Sequence, residues 1–206
     1  MNIAYEICIA FIGSIPALFL TLWFDRLRMP KLEINAEESA NADNTYPSKN
    51  GERWKFFRVS VKNKPFPLFS RIILRQTAEN CRSKIEFSKI GSESESFSMI
   101  GRWSSTPELP YISTDATLKL LYPDPVTIPV NSKEFLDVVT KYDRDFEAYG
   151  WNNEAYVHNW RTPQYKLSRG SYIVKVTIST QNGVTFNNTF KLVVSDKIED
   201  TSINNL

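Results

Sequence analysis

The stretch from Ile7 to Phe24 constrains this chain of 206 residues more than any other feature, because it contains no charged residue. A helix needs about 20 apolar residues to cross a hydrocarbon core about 30 Å thick. Gly13 and Pro16 would weaken a soluble helix, but both residue types are tolerated in membrane spans. Trp23 suits the aromatic belt at the membrane interface. The stretch therefore predicts one N-terminal transmembrane helix.

Two other interpretations of this stretch fit less well. A cleaved signal peptide has a positive start and a small-residue cleavage site. Residues 1–6 contain no Lys or Arg, and the stretch ends in Leu-Trp-Phe-Asp. A buried core helix of this length would show a polar stripe, which this sequence lacks.

The charges that flank the stretch predict its orientation. Arg26, Arg28 and Lys31 follow it, whereas only Glu6 precedes it. Lys and Arg are enriched on the cytoplasmic side of membrane helices. We therefore expect a single-pass protein of the cell membrane with its N-terminus outside, an anchor with a basic flank at 1–30, and a cytoplasmic domain at 31–206.

Composition argues against some partners and compartments. The net charge of +2 gives no reason to expect nucleic acid. Cys8 lies inside the predicted span and Cys81 lies in the soluble part, so the two cannot pair. A lone soluble cysteine fits a reducing compartment.

Alternation with a period of two residues dominates the chain after Pro30. Phe57, Val59 and Val61 share one predicted face, and a strand over 81–87 leads through a turn to 97–103. Asn182-Gly183 predicts a hairpin between two long strands. Further strands are predicted at 31–36, 118–122, 126–130 and 135–140. These features predict an all-β domain, an antiparallel β-sandwich.

The last hairpin carries a resemblance to a known fold. The run from Gly170 to Ile178, a turn, and the run from Phe186 to Val194 resemble the last two strands of an immunoglobulin-like or fibronectin-like sandwich. This resemblance implies the fold and no activity.

A second resemblance covers more of the chain. The runs Arg58-Val-Ser-Val-Lys-Asn63, Ala78-Glu-Asn-Cys81-Arg, Gly101-Arg-Trp103 and Glu134-Phe-Leu-Asp-Val138 resemble a group of uncharacterised prokaryotic membrane-anchored proteins with an immunoglobulin-like domain. The resemblance implies a bacterial or archaeal source and no activity.

The residues that usually carry chemistry do not form a recognisable set. His158 is the only histidine, and a zinc site needs three or four ligands. Asp143, Asp145 and Glu147 are spaced like calcium ligands, but Ala148 stands where an EF-hand loop needs Gly. We therefore predict no metal, no cofactor and no catalytic residue.

Basic and aromatic residues alternate from Arg53 to Lys64. Such a pattern fits a strand with one buried and one wet face, and it also fits contact with anionic headgroups or single-stranded nucleic acid. The strand is the preferred interpretation.

A long segment at 142–169 shows no period and is rich in aromatic residues. Long loops in compact domains are usually functional or disordered, and aromatic rings argue against disorder. The segment is predicted to be a cap that covers one open end of the sandwich or, alternatively, a recognition surface. The residues of that candidate binding surface are Trp103, Tyr149, Trp151, Tyr156, Trp160 and Arg161.

These observations favour a membrane-anchored, non-enzymatic binding or assembly module at the inner membrane face. Its expected partners are membrane lipid, through the anchor, and a protein. The alternative is a hydrolase that uses carboxylates such as Asp143, Asp145 and Glu147 around an aromatic cleft.

Overall fold

The structure is a computed structural model that describes residues 3–37, 40–41, 53–67, 74–92, 95–107, 123–157 and 161–206. Within these ranges, the side chains of 3–13, 40–41 and 156–157 are outside the description.

The chain begins with helix α1 (Ile3–Arg28), which is 26 residues long. At a rise of about 1.5 Å per residue, it is about 39 Å long. The side chains from Ser14 to Arg26 are all exposed. Arg26 and Arg28 lie in its last turn, where cations complement the helix dipole. Among the residues that the structure describes, no helix combines the length and the apolar character that a membrane span needs.

Strands make up most of the remaining described chain. They are β1 (Leu32–Ala36), β2 (Ala40–Asn41), β3 (Trp54–Asn63), β4 (Ala78–Lys89), β5 (Ser96–Ile100), β6 (Arg102–Trp103), β7 (Val126–Ile128), β8 (Lys133–Tyr142), β9 (Ala148–Gly150), β10 (Lys166–Leu167), β11 (Gly170–Ser179), β12 (Thr185–Val194) and β13 (Ser202–Asn205). A short helix α2 (Asn153–Val157) and a 3₁₀ turn (Pro163–Tyr165) lie between β9 and β10.

The strands form two sheets. In the first sheet the order is β1-β3-β8-β9-β10, with β2 beside β3 and β6 beside β8. In the second the order is β13-β12-β11-β4-β5, with β7 beside β4. The pairings between described strands are antiparallel. The prediction of an all-β protein with antiparallel sheets is confirmed.

The core lies between the two sheets, and alternation predicts which residues enter it. Phe57, Val59 and Val61 of β3 belong to one buried cluster with Ile85 and Phe87 of β4. The residues between them point the other way, because successive side chains of a strand alternate between faces.

The hairpin predicted from Asn182-Gly183 is present. Strands β11 and β12 pair over their full length, from Gly170↔Val194 to Ser179↔Thr185. Gly183 has a φ of +75°, a conformation that residues with a side chain rarely adopt.

The segment 142–169 is more regular than the predicted loop. It contains β9, α2, the 3₁₀ turn and β10. Strand β9 pairs with the end of β8, and this pairing satisfies backbone groups that a loop packed on the domain would leave unpaired. The predicted strand at 118–122 lies outside the described residues.

The sandwich has two distinct ends. Strand β3 runs from Trp54 at one end to Asn63 at the other, a distance of about 30 Å for its ten residues. Helix α1 joins the end that carries Asn63, and the turn after Tyr142 lies at the opposite end. We call these the proximal and distal ends.

Candidate functional site

The aromatic segment covers the outer face of the first sheet. The Trp151 backbone N–H donates to Val138 O at 3.0 Å, which holds the chain against β8. The Trp151 ring packs edge-on against Phe56, with ring centroids 5.0 Å apart. Phe56 points away from the core that its neighbour Phe57 enters. Because its ring packs on Phe56 at the outer face of the sheet, Trp151 is only 5% exposed.

A chain of rings continues toward the distal end. The Tyr149 and Tyr142 centroids are 6.4 Å apart, and those of Tyr142 and Trp54 are 5.8 Å apart, both edge-on. These three residues form a buried cluster of their own, separate from the core between the sheets. Edge-on aromatic pairs are favourable beyond the area that they bury.

Arg161 closes this cluster at the surface. Its guanidinium carbon lies 4.1 Å from the centroid of the Tyr142 ring, and its Nε donates to Asp145 Oδ2 at 2.6 Å. The Arg161 side chain is 36% exposed. Cation–π contact and ion pairing together fix this arginine on the ring cluster.

Trp103 occupies a different place from the other candidate residues. It is 1% exposed and lies in the core between the sheets, where its Nε1 donates to Cys81 O at 3.2 Å. The structure brings Tyr149 and Arg161 to the same ring cluster. Tyr156 belongs to α2 but its side chain lies outside the described residues, as does Trp160 altogether.

The burial of Tyr149 and Trp151 makes the segment a cap on the outer face of the first sheet, whereas the sequence predicted a cap over an open end of the sandwich. Trp103 is buried in the core instead. A ring that is less than a tenth exposed offers little area to a partner unless the segment moves. The sequence could not separate the two alternatives, because aromatic residues are typical of both.

Two arginines beneath the cap belong to a polar cluster that the sequence analysis missed. Arg58 pairs with Asp137 Oδ1 at 3.0 Å, and Arg102 Nη2 donates to the carbonyls of Thr106 and Pro107, each at 3.0 Å. Burial raises the pKa of Asp137, although Arg58 acts in the opposite direction. Arg102 also donates to Asn153 Oδ1 of α2. The cluster therefore ties the cap to the sheet.

A buried lysine organises the distal end. Lys141 is 0% exposed, and its Nζ donates to the carbonyls of Asp145 and Asp196, the latter at 3.3 Å. Burial lowers its pKa, while the nearby carboxylates act in the opposite direction. Lys141 thus links the turn after β8 to the turn after β12.

The three carboxylates of the hydrolase alternative do not converge. Asp143 pairs with Arg53 at 2.8 Å, Asp145 with Arg161 at 2.6 Å, and Glu147 with Lys166 at 2.6 Å. Within the described ranges, no group of three or more His, Cys, Asp or Glu side chains could hold a metal ion. This arrangement does not favour the hydrolase, because glycan hydrolysis needs two carboxylates that face one cleft.

The distal turn, residues 143–147, is the exposed part of this region. Phe146 at its tip is 69% exposed. Arg53 bridges the turn to the last loop through Asp143 and Glu199, with the second contact at 3.2 Å. An open groove of about 480 Å³ borders this network and is lined by Lys55, Phe57 and Glu199, among others. The exposed Phe146 ring therefore belongs to a turn that is tied to the last loop by paired charges.

The proximal end carries the second functional feature, the joint between the helix and the sandwich. Asn63 is 0% exposed, and its side-chain Oδ1 accepts from Lys31 N at 3.3 Å. Its Nδ2 donates to Gln76 O at 3.0 Å and to Ile128 O at 3.1 Å. The Gln76 N–H in turn donates to Arg28 O at 2.6 Å. We call Arg28, Lys31, Asn63 and Gln76 the helix joint.

The fold and these features define a class: a protein of two antiparallel sheets preceded by a helix that exposes large apolar side chains between Ile15 and Phe24. No protein-family model matches the chain, and no curated protein matches it either.

Proposed function

We propose that the protein is a single-pass membrane protein whose sandwich acts as a non-enzymatic binding or assembly module at the inner face of the membrane. Helix α1 is its anchor in this proposal. The distal end, the end of the sandwich farther from the helix, presents its contact surface.

The exposed apolar side chains in the second half of helix α1 are the observation that carries this proposal. Seven large apolar side chains between Ile15 and Phe24 are each at least 45% exposed. Burial of apolar area is worth about 25 cal/mol per Å², so a helix with this surface needs a cover. The proposal takes a bilayer as that cover and places the uncharged stretch from Ile7 to Phe24 inside it, a stretch that includes residues before the described side chains on which no span is found.

The charges at the end of the helix support a cytoplasmic sandwich. Arg26 and Arg28 in the last turn and Lys31 after it are exposed. Basic residues beside a span mark its cytoplasmic side. The buried thiol of Cys81 is compatible with that reducing compartment.

The strand order supports an immunoglobulin-like or fibronectin-like sandwich. If β1, β3 and β8 are strands A, B and E, their order in the first sheet is A-B-E. If β5, β4, β11 and β12 are C′, C, F and G, the second sheet follows the order C′-C-F-G. Both orders occur in immunoglobulin-type sandwiches.

The distal end has the properties of a contact surface held on a rigid frame. Phe146 and Arg161 are residue types that contribute strongly at interfaces, and both are accessible. Lys141 holds the backbone beneath them. Loops on a sandwich commonly bind partners while the sheets keep them in place.

Affinity capture from membranes of the native cells tests this surface. The full-length protein would be tagged, solubilised in detergent and compared with the variant Phe146→Ser. We expect a protein partner to be enriched with the unaltered chain and reduced about tenfold with the variant, because interface anchors contribute about 1.4 kcal/mol or more.

Ile100→Ser is the matched control, because Ile100 is also exposed, at 45%, but lies on β5 of the second sheet. The control should retain the partner. Equal capture by Phe146→Ser and the unaltered chain would contradict a contact surface at the distal turn.

A further inference from the structure

The helix joint bears on where the sandwich lies relative to the membrane surface. This inference rests on the proposed function, in which helix α1 is a membrane anchor. Only Met29 and Pro30 separate the last helical residue, Arg28, from Lys31. The backbone of Lys31 is held on both sides, since its N–H donates to Asn63 Oδ1 and its carbonyl accepts from Lys64 N at 2.9 Å. The helix and the sandwich are therefore joined without a flexible linker.

Both sheets take part in this joint. Asn63 belongs to β3 of the first sheet. The Ile128 carbonyl, which accepts a hydrogen bond from Asn63 Nδ2, belongs to β7 of the second sheet. Gln76, bonded to Arg28 O, also accepts from Asn182 Nδ2 at 3.2 Å in the β11–β12 hairpin. The depth of the helix in a bilayer consequently sets the depth of the whole proximal end.

Cations surround the joint. Arg26, Arg28 and Lys31 are exposed. Arg75 Nη1 donates to Met29 O at 3.1 Å. The Arg75 guanidinium also lies 5.3 Å from the centroid of the Phe66 ring. Lys64 is the fifth cation, and it pairs with Glu33 at 2.6 Å. We call these five residues, Arg26, Arg28, Lys31, Lys64 and Arg75, the basic collar.

Exposed apolar side chains adjoin the collar residues in the chain. Trp23 and Phe24, 56% and 45% exposed, precede it in the helix. Leu74, 65% exposed, directly precedes Arg75. Aromatic rings beside cations are typical of the layer where hydrocarbon meets lipid headgroups.

We infer that the basic collar and Leu74 contact the headgroup layer of anionic phospholipids, so that the proximal end of the sandwich rests on the membrane. The five cations of the collar less Asp25 and Glu33 beside them leave a net charge of +3. Charge complementarity therefore commits the collar to anionic lipid, because juxtamembrane Lys and Arg are attracted to negatively charged headgroups. The rigid joint makes this contact a property of the whole domain, which then stands with its distal end away from the bilayer.

Site-specific fluorescence in vesicles tests the collar with the full-length chain. Cys8→Ser would remove the cysteine of the helix, and the buried Cys81 would be left in place. A fluorophore would be attached at Leu74→Cys or, as the reference position, at Phe146→Cys. Vesicles would contain phosphatidylcholine alone or with one third phosphatidylglycerol, plus lipid with a nitroxide on its headgroup.

We expect headgroup quenching at position 74 to exceed that at position 146 by about twofold or more in the anionic vesicles, and to fall in neutral vesicles. The substitutions Arg26→Gln, Arg28→Gln and Lys31→Gln together should lower it to the value in neutral vesicles. The matched set Arg169→Gln, Lys191→Gln and Lys197→Gln removes three exposed cations from the distal half of the second sheet and the segments beside it, and should leave the quenching unchanged.

Flotation of the same samples separates the two proposals. If the chain floats with the vesicles but position 74 is quenched no more than position 146, the collar is overturned and the anchor stands. Quenching that is the same in neutral and anionic vesicles would overturn the preference for anionic lipid. A chain that floats with neither vesicle would overturn the anchor, and the collar with it.

Discussion

At the scale of single residues, Cys81 shows how burial sets reactivity. Its side chain is 0% exposed, and burial raises the pKa of its thiol from 9.0 to about 11. The thiolate that reacts with electrophiles is therefore scarce in the folded protein at neutral pH. Cys81 acts as a small core residue in this structure, as its place on the apolar face of a predicted strand indicates.

The raised pKa of Cys81 predicts a pH dependence of stability. The unfolded thiol loses its proton near pH 9.0, before the folded one. The stability that the thiol contributes is thus complete below pH 9.0 and is lost as the pH rises through about 11. We expect the unfolding free energy of the unaltered chain, relative to Cys81→Ala, to fall by about 2–3 kcal/mol across that window.

Urea unfolding of both proteins from pH 8 upward measures this change. A difference between the two proteins that stays constant with pH would contradict a buried, protonated thiol.

Trp151 and Phe146 lie in the same segment, 142–169, but Trp151 belongs to its buried cap and Phe146 to its exposed turn. Trp151 is 5% exposed and packed on Phe56, whereas Phe146 is 69% exposed. We expect Trp151→Ala to reduce the unfolding free energy by about 3–5 kcal/mol, because it leaves a cavity. Phe146→Ser should change it by about 0.5 kcal/mol or less. Chemical denaturation of both variants checks this pair, and a Trp151→Ala protein as stable as the unaltered chain would contradict the cap.

Sequence patterns predicted single residues unevenly. Alternation placed Phe57, Val59 and Val61 in the core, because a strand with one buried face imposes a period of two. The pairing of Arg58 with Asp137 could not be predicted from the sequence, since it depends on the register between β3 and β8. That register shifts between Phe57 and Arg58, and such an irregularity has no clear signature in one sequence.

At the scale of elements, the helix joint depends on one amide side chain. Removing the Asn63 side chain would leave Lys31 N, Gln76 O and Ile128 O without their partner. Buried polar groups left unsatisfied cost about 1–3 kcal/mol each. We expect Asn63→Ala to lower the unfolding free energy by about 2–4 kcal/mol and to speed hydrogen exchange of the Lys31 amide about tenfold or more.

Asn204→Ala is the control for this change, because Asn204 is exposed on β13. It should alter neither quantity. Unchanged exchange at Lys31 in Asn63→Ala would show that other contacts hold the joint.

The elements themselves were predicted where local chemistry decides them. Asn182-Gly183 predicted the β11–β12 hairpin, because such a pair favours a tight turn between strands. The turn itself is not the two-residue type I′ turn, since residues 180–184 connect the strands and only Gly183 adopts a positive φ. The short elements β9 and β10 were not predicted. Each contains three residues or fewer. Strand β9 exists because it extends the edge of β8, and β10 because it extends the edge of β9, a tertiary effect that carries no periodic signal.

At the scale of the whole molecule, the two ends of the sandwich have different chemistry. The proximal end joins an apolar helix and carries the basic collar, while the distal end carries Phe146 and paired charges. About 30 Å of strand separates them. A module built this way would hold a partner at a fixed distance from the membrane surface, and confinement at the membrane would raise the effective concentration of that partner.

The most direct test of the proposed architecture is the accessibility of a protease-sensitive tag fused after Leu206, measured in intact and in lysed cells with the chain recovered from the membrane fraction. We predict that the tag survives in intact cells and is cut after lysis, because in the proposed orientation the cations that follow the helix would keep the sandwich in the cytoplasm. Cleavage of the tag in intact cells would contradict the orientation and, with it, the inner-face function.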